Sequence, residues 1–325
     1  MKMVLVSVIM SACNYEKYVG EAIESILNQT FGDLELIIVE DCSKDNTKAI
    51  IQQYSEKDPR VKAFFHEKNM GISRTINDGI KHVNGKFVCF TDADDVWELH
   101  KLEKQLEVLS RNKGKLVWSE AIIIDGNGSP TGGTVTQLLN TRRKSGDLFE
   151  DLLREQFVMF QSLIFDSKFL VGLQRDETLK YVNDHRFLID LAKNREFVFM
   201  DEPLVRYRIH GRNISSKDTA GWMRERIAIR KFFLRQFSGS ISKLTRADIY
   251  YKLGHAYSNL DGLETAQYYY LKAFLEDHLH LNSVLYLTLA LTANNKLINE
   301  LSAKLYYSLS SYLSNKISRR RTAID

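Results

Sequence analysis

Apolar residues in the first hundred positions alternate between continuous runs and a helical repeat. The runs at residues 4–10 and 34–39 are typical of strands that are covered on both faces. Between them, Val19, Ala22 and Ile23 begin a helical spacing that continues to Leu27. The alternation then repeats. It predicts strands at residues 4–10, 34–39, 61–65 and 86–90, and helices lined by apolar residues within 19–27, 49–54 and 72–83.

This rhythm of strand and helix predicts right-handed crossovers and a largely parallel sheet. Such sheets bind ligands beyond the carboxyl ends of their strands. The segments that follow three of the predicted strands are residues 11–14, 40–43 and 92–95. We therefore expect these three segments to converge on one cleft.

The pattern is less regular between residues 101 and 215. Leu102, Leu106 and Leu109 line a predicted helix, and residues 116–124 form a predicted strand. A segment rich in Gly, Asn and Pro, residues 125–133, predicts a turn. Further helices are predicted at 147–155 and 184–192, and short strands at 197–200 and 204–209.

Strand patterns end at about residue 215. The spacing then predicts five helices, at residues 222–237, 244–259, 262–276, 281–293 and 297–315. Residues 247–280 match the spacing of one tetratricopeptide repeat, with His278 in place of the usual proline. Because a single repeat cannot bury its own apolar face, the pattern slightly favours an all-helical bundle. The predicted domains are 1–215, with halves 1–100 and 101–215, and a helical domain at 216–325.

Composition and charge exclude several classes of protein. Hydrophobic residues make up 44% and charged residues 26% of the chain, as in globular proteins. A net charge of +4 without a basic face in the first two hundred residues argues against nucleic acid as a partner. Cys13, Cys42 and Cys89 are widely spaced, which indicates reduced thiols in a cytosolic protein and no structural zinc.

The N-terminus and the longest uncharged run are candidates for a targeting or a membrane segment. Lys2, the apolar residues after it and Cys13 resemble a short secretion signal or a lipoprotein cleavage site. A single lysine and a short apolar stretch favour a buried first strand instead. The uncharged run at 281–295 is shorter than the ~20 apolar residues of a membrane helix.

Three aspartates follow the fourth predicted strand, in the sequence Thr-Asp-Ala-Asp-Asp at residues 91–95. Carboxylates this close repel one another unless a positive charge neutralises them. Mg²⁺ is held by one or two carboxylates together with substrate phosphates, and Mn²⁺ accepts the same oxygen ligands. The alternative is a solvated acidic loop or a helix cap. Glu40 and Asp41, after the second strand, are equally suited to binding a nucleoside or to capping a helix.

Taken together, these segments resemble the opening of the family 2 glycosyltransferases. The resemblance is carried in order by residues 6–15 (VSVIMSACNY), 22–31 (AIESILNQTF), 35–41 (ELIIVED), 69–80 (NMGISRTINDGI) and 92–95 (DADD). It continues more loosely to about residue 215 and does not cover 216–325. The family has the GT-A fold, a nucleotide-binding Rossmann-like half fused to an acceptor-binding half.

The resemblance implies roles for particular residues of the first half. Ser11 and Cys13 would line the base pocket, although the family often has an aromatic residue where Cys13 stands. Asp41 would bind the base, Asp92 the ribose, and Arg74 the diphosphate or the base. Asp94 would ligate the metal and Asp95 would orient its neighbours.

Two later motifs extend the resemblance. Asn183 and Asp184 stand where the family has Glu-Asp, so Asp184 is the candidate general base and the tuning of its pKa lacks a neighbouring carboxylate. The alternative for Asp184 is a helix cap. Tyr-Arg-Ile-His at 207–210 resembles a Tyr-Arg-x-His element. His210 would complete the metal site or hold a diphosphate oxygen, and Arg208 would anchor the chain nearby. The alternative for a lone histidine is a structural role.

The predicted function is inverting transfer of a sugar from a nucleoside diphosphate sugar, UDP-linked, to a hydroxyl of a glycan or lipid-linked glycan, with Mn²⁺ or Mg²⁺. A catalytically impaired nucleotide-sugar-binding or scaffold protein is the alternative; Asn183 favours it, whereas Asp92, Asp94 and Asp184 argue against it. A sugar nucleotidyltransferase would need a glycine-rich basic loop after the first strand, which residues 11–15 lack.

The helical domain is predicted to be a packing surface or a surface for a protein partner or self-association. Its last helix carries an apolar stripe and the basic residues Lys316, Arg319, Arg320 and Arg321. This arrangement suits the surface of an anionic membrane, although a core helix with a solvated tail fits the pattern better. The predicted location is the cytoplasm, with the inner face of the membrane as the variant that this helix suggests.

Overall fold

The structure is a computed structural model that describes residues 5–139, 144–211, 218–260 and 262–277, together with Thr288. Contacts divide the chain into two compact units, Met1–Trp222 and Met223–Asp325. The first unit holds one mixed sheet. Within the described ranges its strands are β1 Val6–Ala12, β2 Leu34–Glu40, β3 Val61–Phe65, β4 Phe87–Asp92, β5 Val96–Trp97, β6 Leu116–Ile124, β7 Pro130–Thr134, β8 Gly146–Asp147, β9 Ile164–Asp166 and β10 Glu196–Arg208.

Helices connect these strands and form the described part of the second unit. They are α1 Val19–Leu27, α2 Thr47–Lys57, α3 Ile72–Ile80, α4 Lys101–Arg111, α5 Val135–Leu138, α6 Phe149–Arg154, α7 Asn183–Ala192, α8 Thr219–Phe237, α9 Lys243–Ser258 and α10 Leu263–Glu276. Two short 3₁₀ turns lie at Phe160–Ser162 and Ser167–Leu170. None of the helices within the described ranges combines the length and apolarity that crossing a bilayer requires.

The first half of the sheet is parallel, as predicted. Its strand order is β3-β2-β1-β4, and every residue of β1 and β2 is buried. α1 buries Val19, Ala22, Ile23 and Ile26 on one face, which is the face that the sequence spacing predicts. The chain order reverses at β1, whose neighbours are β2 and β4. A parallel sheet offers its ligand site at such a reversal, beyond the carboxyl ends of the strands.

The second half departs from the prediction at several places. β9 lies antiparallel between β4 and β6, and the short strands β5, β8 and β9 carry too few residues to show a period. The predicted turn at 125–133 contains the start of β7, which forms a hairpin with β6. The two strands predicted at 197–200 and 204–209 are one strand, β10. Its pairing with β6 shifts register around Pro203, which has no N–H to donate to a ladder.

The described part of the helical unit confirms the helices predicted at 222–237, 244–259 and 262–276. α9 and α10 pack through Ala247, Tyr251, Ala266, Tyr270 and Ala273. Gly254 lies under the Tyr270 ring, and a Cβ there would stand 2.6 Å from a ring carbon. The tetratricopeptide-like repeat at 247–280 stays a prediction. Apart from Thr288, the helices predicted at 281–293 and 297–315 and the basic end that was weighed for membrane binding lie outside the described residues.

We predict that Gly85→Ala destabilises the strand that carries Asp92. A Cβ at residue 85 would stand 2.5 Å from the backbone nitrogen of Ser7, and the Gly85 N–H donates to Ser7 Oγ at 2.8 Å. Since β1 cannot move away without breaking its ladders, the free energy of unfolding should fall by about 1–3 kcal/mol. Denaturant titration measures this value. Gly32→Ala is the control, because no atom lies within 4 Å of its added methyl group; equal stabilities of the two variants would refute the prediction.

Candidate active site

The carboxyl ends of β1, β2 and β4 lie side by side. Ser11 pairs with Val39 on one side and with Asp92 on the other, and Ala12 pairs with Glu40. The convergence of the three segments that the sequence predicts is therefore present in the fold. The predicted nucleotide and metal residues of these segments, Ser11, Cys13, Asp41, Asp92 and Asp94, therefore border this edge of the sheet.

Three carboxylates at the end of β4 form a compact acidic cluster. One oxygen each from Asp92, Asp94 and Asp95 lies within 4.8 Å of the others. Asp94 and Asp95 are buried, and Asp95 Oδ2 has no hydrogen-bond partner. Burial raises the pKa of all three carboxyl groups, and repulsion between Asp92 and Asp94 brings the pKa of Asp94 to about 6. Oxygens at this separation can ligate one divalent cation, whose charge would relieve the repulsion.

His210 and Arg208 close the other side of this acidic cluster. His210 Nε2 lies 3.0 Å from Asp94 Oδ2, so that an imidazole nitrogen borders the same point as the carboxylates. Arg208 donates its backbone N–H to Asp95 Oδ1 at 3.0 Å and its Nε–H to the carbonyl of Asp94 at 2.8 Å. Its NH2 group forms an ion pair with Glu21 Oε2 at 2.6 Å. The predicted anchoring position of Arg208 thus coincides with a buried guanidinium that ties β10 to the cluster.

A cavity of about 300 Å³ opens beside His210. Residues 14–18, His210 and Gly211 line it. The rings of Tyr15 and Tyr18 flank the imidazole, with centroids 6.3 Å and 5.0 Å away. The cavity therefore lies between the loop after β1 and the residues that follow β10. A ligand that contacts Asp94 beside His210 could occupy it.

Asp184 lies in the first turn of α7 rather than at its cap. The capping position is Val182, so the interpretation of Asp184 as the helix cap is wrong. Asp184 Oδ2 accepts a hydrogen bond from Gln156 at 2.8 Å, and its Oδ1 accepts the backbone N–H of His185 at 2.8 Å. Its negative charge also raises the pKa of Asp92, after the larger effect of burial. Asp184 is thus within electrostatic reach of the acidic cluster.

Asp41 is held at the N-terminus of α3. Its carboxylate accepts the N–H groups of Met70 at 2.7 Å and Gly71 at 2.8 Å and faces His66 Nδ1 at 2.8 Å. Gly71 has φ +84°, a conformation that glycine adopts without strain. A carboxylate has about four acceptor positions, so these contacts leave room for one donor from a base. The predicted contact between Asp41 and a base remains a prediction.

Cys13 contacts the backbone of Asp41, whereas the contacts of Arg74 are with Asp78 and Glu177. Cys13 Sγ lies 3.4 Å from the carbonyl of Asp41, and burial raises the pKa of its thiol, which therefore stays protonated. Arg74 Nε donates to Asp78 at 2.9 Å on α3, and its NH1 is 3.7 Å from Glu177. Its side chain is 39% exposed. The roles given to both residues remain predictions.

Several polar side chains that contact predicted site residues were not identified from the sequence, and three of them lie between residues 156 and 175. Gln161 donates to Asp92 Oδ2 at 2.5 Å, Gln156 holds Asp184, and Arg175 donates to Asn183 Oδ1 at 2.7 Å. All three lie in segments with neither strong periodicity nor a recognisable motif. Arg175 precedes Asn183 by eight residues. This spacing has no specific structural meaning, so the sequence offers no signal that identifies Arg175.

Comparison with known proteins agrees with this geometry. The model of Glycosyl transferase family 2 matches residues 7–165. An uncharacterised glycosyltransferase of Methanocaldococcus jannaschii is 34% identical over 214 residues, which cover 64% of this chain and 72% of the relative. The Bacillus subtilis TuaG protein, named as a putative teichuronic acid biosynthesis glycosyltransferase, is 28% identical over 65% of this chain and 82% of its own length.

A solved structure resembles the whole fold. The crystal structure of S. aureus TarS 1–349 in complex with UDP-GlcNAc has a TM-score of 0.65 and 19% sequence identity, and the match covers 89% of this chain and 88% of that chain. At this identity the likeness establishes the fold, and it confirms the GT-A architecture expected from the sequence. The sequence is similar to named glycosyltransferases over most of their length, and this similarity establishes the family. The chain therefore belongs to Glycosyl transferase family 2 and is a glycosyltransferase with the GT-A fold.

Proposed function

We propose that this glycosyltransferase moves a sugar from a UDP-linked donor to a hydroxyl of a glycan or lipid-linked glycan, with inversion at the anomeric carbon. The observation that carries the proposal is the acidic cluster at the end of β4, whose oxygens lie within 4.8 Å of one another beside the end of β1. A UDP-sugar in the related TarS structure supports the choice of donor. The name of the relative from B. subtilis, a putative teichuronic acid biosynthesis glycosyltransferase, supports a glycan acceptor.

Asp94 and His210 are the residues proposed to hold Mn²⁺ or Mg²⁺. When bound, such an ion supplies positive charge to the departing diphosphate as a Lewis acid. The fit of the site rests on the donor set: buried carboxylate oxygens and an imidazole nitrogen 3.0 Å apart, with Asp95 Oδ2 unpaired. Arg208 keeps these groups in place through the backbone of Asp94 and the carboxylate of Asp95.

Asp184 is proposed to act as the general base. It would accept the proton of the acceptor hydroxyl while that oxygen forms the bond to the anomeric carbon and the bond to the diphosphate breaks. Gln156 holds one carboxylate oxygen and a backbone N–H the other, so the side chain is oriented before an acceptor arrives. Negative charge in the first turn of α7 is favoured by the helix dipole.

Asp184→Asn should lower turnover by about 100-fold or more, since an amide cannot accept the proton. Binding of UDP with Mn²⁺ should be unchanged, because Asp184 is not proposed to contact the nucleotide. The donor is first chosen by a thermal-shift panel of nucleotide sugars, and UDP release then reports turnover. Asp190→Asn is the matched control, since Asp190 lies on the same helix and pairs with Arg186. Wild-type turnover in the Asp184 variant would remove it from the mechanism.

Asp94→Asn should stabilise the metal-free protein and abolish its response to metal. The pKa of Asp94 in the folded state, about 6, is above its ordinary value of 3.8. The folded protein therefore has its full stability below pH 3.8, where Asp94 is protonated, and loses stability as the pH rises through 6 and Asp94 ionises. Ionised Asp94 therefore costs up to ~3 kcal/mol at neutral pH, and an amide removes this cost.

Melting temperatures with EDTA, and with Mn²⁺ and UDP, test this pair of effects. Without metal, the variant should melt higher than wild type above about pH 6, and the difference should vanish near pH 4. With Mn²⁺ and UDP, only the wild type should gain stability. Glu107→Gln, an exposed carboxylate on α4, is the control for loss of charge alone. An equal gain with Mn²⁺ and UDP in both proteins would show that Asp94 is not a ligand.

A further inference from the structure

Arg175 is a buried cation that the proposed mechanism does not use. It is 6% exposed, in a segment without regular structure between β9 and α7. Asn77 of α3 fixes its backbone: the N–H of Arg175 donates to Asn77 Oδ1 at 2.7 Å, and its carbonyl accepts from Asn77 Nδ2 at 3.0 Å. A side chain whose backbone is held from two sides points in a defined direction.

The guanidinium lies on aromatic rings and is only partly hydrogen-bonded. Its central carbon is 4.5 Å from the centroid of Phe160, and NH1 donates to Asn183 Oδ1 at 2.7 Å. Nε is buried without a hydrogen-bond partner. Burying a guanidinium whose hydrogen bonds are incomplete costs free energy unless opposite charges lie nearby. Burial lowers the pKa of Arg175. The negative charges of Asp184 and Asp92 oppose this larger effect by raising the pKa.

Asn183 links this cation to the helix that carries Asp184. Its Oδ1 accepts the hydrogen bond from Arg175 NH1, and its Nδ2 donates to the carbonyl of Lys180 at 3.2 Å. Because Asn183 and Asp184 are the first two residues of α7, a side chain held on both sides at residue 183 fixes the start of the helix and, with it, Asp184.

We infer that Arg175 is a positioning residue of the transferase site, which holds the start of α7 through Asn183 and thereby orients Asp184. The inference rests on the proposed function, in which Asp184 is the base.

Arg175→Met and Arg175→Lys test the inference by the separation of kcat from donor binding. The methionine variant should lose about tenfold or more in kcat, a part of what a positioned base contributes, while UDP affinity with Mn²⁺ falls less. The lysine variant restores the charge and should recover most of the loss. Arg195→Met is the matched control, because Arg195 also stacks on a phenylalanine, Phe169, at 4.4 Å. A kcat for the folded Arg175→Met protein within about twofold of wild type would overturn the inference.

Asn183→Ala keeps the test decisive if Arg175→Met does not fold. This variant retains the Arg175 cation but removes the amide through which it holds the start of α7, so kcat should fall by a similar factor while UDP affinity with Mn²⁺ falls less. An unchanged kcat in this variant would also overturn the inference. Failure of the proposed function gives a different result, because the Asp184→Asn variant would then keep wild-type turnover. If Asp184→Asn is inactive and Arg175→Met is active, the base assignment stands and only the role of Arg175 falls.

Discussion

Repulsion between buried carboxylates is the constraint on which the organisation of the first unit depends. Asp92, Asp94 and Asp95 follow β4 at a point where the fold leaves little access to water, and a folded chain tolerates this only if other groups compensate. The compensation comes from separate elements: the end of β10, the loop after β9 and the segment that carries Gln161. The acidic cluster therefore links parts of the chain that are more than a hundred residues apart.

The two halves of the sheet contribute to this arrangement in different ways. The parallel half supplies strand ends in a fixed order, and its buried strands leave little freedom for the loops that follow them. The second half, in which parallel and antiparallel pairs are mixed, supplies counter-charges through Arg208 on β10 and Arg175 in the segment before α7. The acidic edge and the cations from a more irregular region together form a site that favours an additional positive charge.

The sequence predicted the parallel half well because long apolar runs and helical spacing are strong local signals. β1 and β2 are buried throughout, and α1 buries the residues that its spacing indicated. The resemblance also named Asp94 and His210, which the fold brings within 3.0 Å of each other. Short strands such as β5 and β9 are defined by their partners and not by their own residues. For the same reason Arg175 and Gln161 could not be found: a buried polar side chain in an irregular loop is specified by what surrounds it in three dimensions.

The irregularity around Pro203 determines which way the last third of β10 faces. Side chains on a strand alternate between the two faces of the sheet, so an extra residue, or one fewer, turns every later side chain to the opposite face. The register shifts between Met200 and Val205 therefore set the phase in which Arg208 and His210 reach the site. In this sense the chemistry at residue 210 is decided several residues earlier, by a local mismatch between two strands. Relatives that differ in length at this point would need a compensating change before the end of β10 to present the same pair of side chains.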